Sequence, residues 1–234
     1  MRASVEQALR GMLWDKVPRN HRQDPRPFLV RRVVTGVFVV IGAVVLGWSL
    51  QIEAGSSTFY VATAILAGVW TVGAFASGPL YLGRIANPRN EEHLRRPVIG
   101  AIVLGLALSA LFVVGAFVVR QVPFLNDQVA SVLGHAADGV TPLLLLITLL
   151  NGVAEELFFR GALYAAIPQH PVVVSTVAYV IATLATGNVM LAFAAVLLGA
   201  VVGLERRASG GVLAPILTHV TWSTVMLFAL PLIF

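Results

Sequence analysis

Apolar residues in this chain fall in uninterrupted runs rather than at the spacing of a half-buried surface helix. A hydrocarbon core of about 30 Å requires roughly 20 residues of helix. The runs Val33 to Ile52, Tyr60 to Leu82, Val98 to Val119 and Val140 to Ile167 reach that length. The last third adds Val172 to about Thr186, Val189 to Leu204 and Val212 to Phe234. Backbone polar groups find no water partners in lipid, so each run is expected to be a helix. The pattern predicts an all-α polytopic membrane protein of about seven transmembrane helices. The fifth run is the weakest, because about 15 residues of helix span only roughly 22 Å. It also ends in the polar Thr186-Gly187-Asn188, which predicts a short, tilted or enclosed helix.

Two further segments alternate at helical spacing without being long enough to span. Ser4 and Gln7 form a capping-box pattern, with Val5, Ala8, Leu9, Met12 and Leu13 on one face and Trp14 following. With the neighbouring arginines they predict an amphipathic helix lying on the inner membrane surface. Val129, Val132, Leu133 and Ala136 suggest a second interfacial helix on the other side. Residues 1–32 lack the apolar core and cleavage site of a signal peptide. The expected organisation is therefore a basic cytoplasmic segment at 1–32, membrane helices and loops at 33–139, and a core at 140–234. The last two form one membrane domain, and no internal repeat or low-complexity tract divides the chain.

Composition narrows this further. The chain is 58% hydrophobic and 12% charged, with mean hydropathy +0.86, against roughly a quarter charged residues in soluble domains. A disordered chain and a water-soluble enzyme are both excluded. The absence of cysteine removes disulfides, thiolate metal sites and thiol nucleophiles. Basic residues lie between the apolar runs rather than on a folded basic face, which argues for membrane orientation and against nucleic acid. Arg2, Arg10, Lys16, Arg19, Arg22, Arg26, Arg31 and Arg32 precede the first run; Arg84, Arg89, Arg95 and Arg96 follow the second; Arg206 and Arg207 follow the sixth. Alternation of seven helices puts these on one side, the cytoplasm, with the amino terminus inside and the carboxyl terminus outside. Rich arginine, alanine and valine usage points to a GC-rich bacterium, hence the bacterial cytoplasmic membrane.

Ionised groups inside the apolar runs concentrate in Asn151-Gly-Val-Ala-Glu155-Glu156-Leu-Phe-Phe-Arg160. Each charge at a helix centre costs on the order of 2.5 to 3.5 kcal/mol on insertion scales, so this cluster needs a reason. Glu156 and Arg160 are four apart and can pair on one helix face. Glu155 points about 100° away and is free to take a proton from water, with Asn151 one turn earlier placed to orient that water or the carboxylate. In the final run His219 and Ser223 share a face, and His219 is expected to partner Glu155, donating to a developing oxyanion or exchanging a proton. Two carboxylates and one histidine could hold zinc in principle, but the two glutamates diverge and Arg160 competes for one, so no metal or other cofactor is expected. The same Glu-Glu pair at Glu91-Glu92 lies in a polar loop and is expected to be solvated.

Glu-Glu-x-x-x-Arg within a membrane helix, followed by a terminal helix with a buried histidine, resembles the CPBP family of intramembrane proteases. That family includes CAAX prenyl endopeptidases and proteins of bacteriocin processing and immunity. The resemblance implies Glu155 as the water-activating residue, Glu156 and Arg160 as its supporting pair, and His219 as the histidine of the last motif. The family's middle motif, an aromatic followed four later by histidine, reads Tyr179 and Thr183 here. The asparagine four after the last histidine reads Ser223. The expected function is a glutamate-type intramembrane endopeptidase acting on a membrane-associated peptide or protein. The alternatives are an impaired relative serving as a peptide- or lipid-binding subunit of a membrane complex, and a small transporter. The lack of repeated halves argues against the last of these.

Overall fold

The computed structural model describes residues 2–18, 21–53, 56–87, 90–137 and 141–234. Arg19, Arg89 and the expected boundary between 139 and 140 lie outside the described residues, as do the side chains of Ser4, Val5, Glu91, Glu92 and Ala136. The described elements are α1 (Arg2–Leu13), α2 (Pro25–Ser49), α3 (Ser57–Ala76), β1 (Ile85–Asn87), β2 (Asn90–Arg95), α4 (Val98–Val119) and α5 (Pro123–Ala137). They continue with α6 (Thr141–Glu155), a π-helical stretch Glu156–Leu163, α7 (Tyr164–Ala166), α8 (Pro171–Leu184), α9 (Val189–Ser209) and α10 (Leu213–Ala229), closed by a 3-10 turn Leu230–Leu232.

Six of these helices are long and apolar enough to cross a bilayer: α2, α3, α4, the continuous rod Pro142–Ala166, α9 and the rod Leu213–Leu232. The fold is that of a multi-pass membrane protein. The remaining expected span, the fifth, is α8, which at 14 residues is shorter than a full crossing and packs between α9 and α2. Valines along α2 (Val33, Val37, Val40, Val44) and α4 (Val103, Val114, Val118) are exposed, which suits faces that meet hydrocarbon.

Helix ends depart from the apolar runs for local reasons. Helix α2 starts at Pro25 rather than Val33, since proline is preorganised for the first turn and Asp24 precedes it. Arg31 is thereby carried inside and donates to the Pro79 carbonyl at 2.9 Å. Helix α3 stops at Ala76 instead of running to Leu82, because Gly78 (φ +129°) and Pro79 cannot continue it. The polar loop beyond forms a short antiparallel hairpin, pairing Ile85 with Arg95 and Ala86 with Leu94, an exception to the all-α expectation. Helix α9 continues past Leu204 to Ser209, ending at a left-handed Gly210 (φ +73°). Arg206 and Arg207 therefore lie in its last turn and not in a connecting loop.

The core is built on Trp70, whose ring centroid lies 4.7 Å from that of Phe158 and 4.9 Å from that of Phe159. Leu66, Ala154, Tyr179 and Ala195 are among the other members of the cluster. Gly42 of α2 lies against the Trp70 ring so closely that any side chain there would overlap it. At the other contact that fixes the bundle, the coil after α3 crosses the α9–α10 turn. Val212 and Leu213 N–H donate to the Tyr81 and Leu82 carbonyls at 2.8 and 3.0 Å, and Arg84 N–H donates to Ser209 O at 2.9 Å. These bonds satisfy amide groups that the start of α10 would otherwise leave bare. Gly211 permits the approach, since a Cβ there would fall onto the Leu82–Gly83 backbone.

Candidate functional site

The polar cluster sits where α6 passes into its π-helical continuation. Tyr164 N–H reaches back five residues to the Phe159 carbonyl. The next carbonyl, that of Arg160, accepts Arg206 Nε at 2.6 Å. Helical stretches with this five-residue hydrogen bond often occur at functional sites, because re-pairing the backbone redirects side chains. The pairing of Glu156 with Arg160 appears as the four-residue spacing required: Arg160 Nη1 donates to Glu156 Oε1 at 3.1 Å, and both side chains are 0% exposed. Arg160 also stacks over Tyr179, 4.6 Å from the ring centroid. Gly199 of α9 makes room for it, a Cβ there lying 3.0 Å from Nη2.

His219 goes to Glu156 rather than to Glu155. Its Nδ1 lies 2.8 Å from Glu156 Oε1, the same oxygen that faces Arg160. Glu155 turns to α8, where Tyr179 Oη donates to Glu155 Oε2 at 2.7 Å. The two neighbouring glutamates therefore have separate partners. Glu156 is enclosed between a guanidinium and an imidazole; Glu155 is only half-buried and remains within electrostatic reach of His219. Gly152, one turn before Glu156, lets α10 cross closely: its absent Cβ would meet His219 Cδ2 at 3.6 Å and Ser223 Oγ at 3.8 Å.

The other expected residues are placed differently. Asn151 does not address Glu155; its Nδ2 donates to Ile147 O at 3.0 Å and to Thr63 O on α3 at 3.3 Å. Thr183 donates to the Tyr179 carbonyl at 2.9 Å and Ser223 to Val220 O at 3.3 Å, each within its own helix. Tyr179 supplies the hydrogen bond to the carboxylate, and Thr183 makes none to it. Among the described residues, no group of three or more His, Cys, Asp or Glu side chains is arranged to hold a metal ion.

One buried acid went unread in the sequence. Glu205 follows the sixth apolar run and precedes Arg206-Arg207, so it resembles part of a solvated turn. The extension of α9 instead buries it completely. The Thr218 hydroxyl lies 2.9 Å from Glu205 Oε1 and 3.0 Å from Ala101 O, tying α9, α10 and α4 together beside His219. Glu205 is also within electrostatic reach of Glu156, a second buried acidic side chain. Glu205→Gln keeps a polar partner for the Thr218 hydroxyl, so it is expected to leave stability within about 1 kcal/mol of wild type. Glu205→Ala strands the Thr218 contact and is expected to cost about 1–3 kcal/mol. Denaturant unfolding in detergent measures both, and equal losses would refute the hydrogen-bond account.

Fold and site together define a polytopic membrane protein with a buried carboxylate–imidazole cluster. Residues 137–225 match the family described as Type II CAAX prenyl endopeptidase Rce1-like. The matched segment contains Glu155, Glu156, Arg160, Tyr179, Glu205 and His219, and it supports kinship with that family for this part of the chain. Comparison with curated proteins and with solved structures returns no match.

Proposed function

We propose that this protein belongs to the CPBP group of intramembrane proteases and hydrolyses a peptide bond of a membrane-associated substrate. The observation that carries the reading is the division between adjacent glutamates. Glu156 is fully enclosed, with one carboxylate oxygen engaged by both Arg160 and His219, whereas Glu155 is only half-buried and keeps one carboxylate oxygen beyond its bond to Tyr179. In this reading Glu155 takes a proton from water, and the resulting hydroxide attacks the scissile carbonyl.

The role of His219 follows from its partner. A carboxylate facing Arg160 only accepts hydrogen bonds, so Nδ1 carries a hydrogen and Nε2 is left for the substrate. A neutral ring held this way has no second hydrogen to give. Donation to the oxyanion therefore requires a second hydrogen, on Nε2, and that proton can pass on to the leaving amine. Glu156 and Arg160 act through His219 as positioning residues. Proteomic comparison of membranes carrying wild-type or Glu155→Gln protein tests the proposal: new amino termini should occur with wild type only, and identical sets would count against it.

One observation favours a second reading, an impaired relative that binds a peptide or lipid within a membrane complex. Thr183 stands where the related proteases carry histidine, and its hydroxyl is spent on its own helix. Cleavage that emerges only in Thr183→His protein would select this reading.

We further propose the bacterial cytoplasmic membrane as the location, the basic segments inside, and α1 on the inner surface. Single cysteines introduced near Arg89 and near Ser56 are expected to label from opposite sides. Labelling from the same side would overturn the arginine argument.

A further inference from the structure

At the end of the bundle away from Gly210, the second halves of α4 and α10, the first half of α9 and helix α5 enclose a cavity of about 260 Å³. Phe112, Leu133, Leu197, Met226 and Trp222 are among its walls, and no charged side chain is among the described residues that line it. Its two amide side chains are engaged with their surroundings. Asn188 Nδ2 donates to Gln128 O at 2.7 Å, Asn188 Oδ1 accepts from Met190 and Leu191 N–H at 3.0 Å, and Gln128 Oε1 accepts from Val189 N–H at 3.1 Å. The space thus offers dispersion contacts to hydrocarbon and little to water, which needs two or more polar partners to settle in a cavity.

The cavity is continuous with the lipid-facing exterior. Leu111 and Phe193 line it, yet are 58% and 51% exposed on the outside of spanning helices. The molecules abutting that opening are the lipids of the bilayer in which these helices lie. We propose that this cavity binds one acyl chain of a membrane phospholipid, seated against Trp222. The Trp222 ring stands edge-on to His219 at 6.1 Å and to Phe112 at 5.1 Å between centroids. A chain in the cavity therefore buttresses the ring that backs His219, and lipid occupancy is coupled to the setting of that histidine. The binding site rests on the cavity alone and stands whether or not the protein cleaves peptides.

Quenching of tryptophan fluorescence by phosphatidylcholine with brominated acyl chains tests this on the full chain in vesicles. The difference between wild type and Trp222→Phe isolates the Trp222 signal. A Cβ at Gly115 meets nothing within 4 Å, so Gly115→Phe can fill the cavity from α4. Val114→Phe, at a position 65% exposed outside the cavity, is the control. Quenching of Trp222 should fall several-fold in Gly115→Phe and persist in Val114→Phe. Equal quenching in both would mean that only surrounding lipid reaches the ring, and would overturn the proposal. Native mass spectrometry with the smaller Gly115→Leu provides a second measurement. One phospholipid adduct should remain on wild type and Val114→Phe and disappear from Gly115→Leu; adducts indifferent to Gly115→Leu would also overturn it.

Discussion

Arg160→Met is expected to destabilise the protein by about 3–5 kcal/mol, the usual cost of leaving one half of a buried ion pair uncompensated. The guanidinium is fully enclosed, holds Glu156 Oε1 at 3.1 Å and covers the Tyr179 ring. Without it, Glu156 retains His219 as its ion-pair partner among the described residues. The double variant Glu156→Gln/Arg160→Met removes both charges and should recover a large part of the loss. Unfolding in detergent for the four members of this cycle measures the coupling directly. Strictly additive losses would show that the two side chains do not depend on each other.

On the proposed function, Glu155→Gln is expected to reduce peptide-bond cleavage by about 10²- to 10⁴-fold, the range a positioned general base contributes, while leaving folding intact. Glutamine retains an oxygen to accept from Tyr179 Oη, and the position is half-buried rather than enclosed, so the loss would not reflect collapse of the site. Tyr179→Phe removes one donor to the carboxylate and should slow cleavage by less. His219→Gln should slow it too, because Nε2 chemistry is lost. The assay is turnover, in vesicles, of a membrane peptide whose cleavage depends on wild-type protein. Undiminished turnover by Glu155→Gln would remove Glu155 as the base, and a Tyr179→Phe defect as large would assign the hydroxyl the greater part.

What could be read from the chain beforehand followed the range of the forces involved. Spans declared themselves because hydrocarbon thickness imposes a run length, and even the deficit of α8 showed in Thr186-Gly187-Asn188. Glu156 and Arg160 showed because helix geometry alone brings residues four apart together. The partner of His219 did not, since it depends on how α10 crosses α6 at Gly152, a tertiary matter of which glutamate faces the crossing. Glu205 was hidden by its neighbours: beside two arginines it looked like the start of a loop, and only the length of α9 and the position of Thr218 make it interior. The π-helical stretch has no proline or local repeat to announce it. Its freed Arg160 carbonyl is answered by Arg206, 46 residues on.

The backbone bonds from Tyr81, Leu82 and Arg84 to the α9–α10 turn bear on how far the family-sized stretch can stand alone. Residues 137–225 cut out of the chain would open their last helix with Val212 and Leu213 amides facing no acceptor. Helix α4, whose Ala101 carbonyl receives Thr218, would be missing as well. The amino-terminal half is thus a scaffold built into the chemistry of the carboxyl-terminal half, and the two have to be handled, exchanged or engineered as one piece.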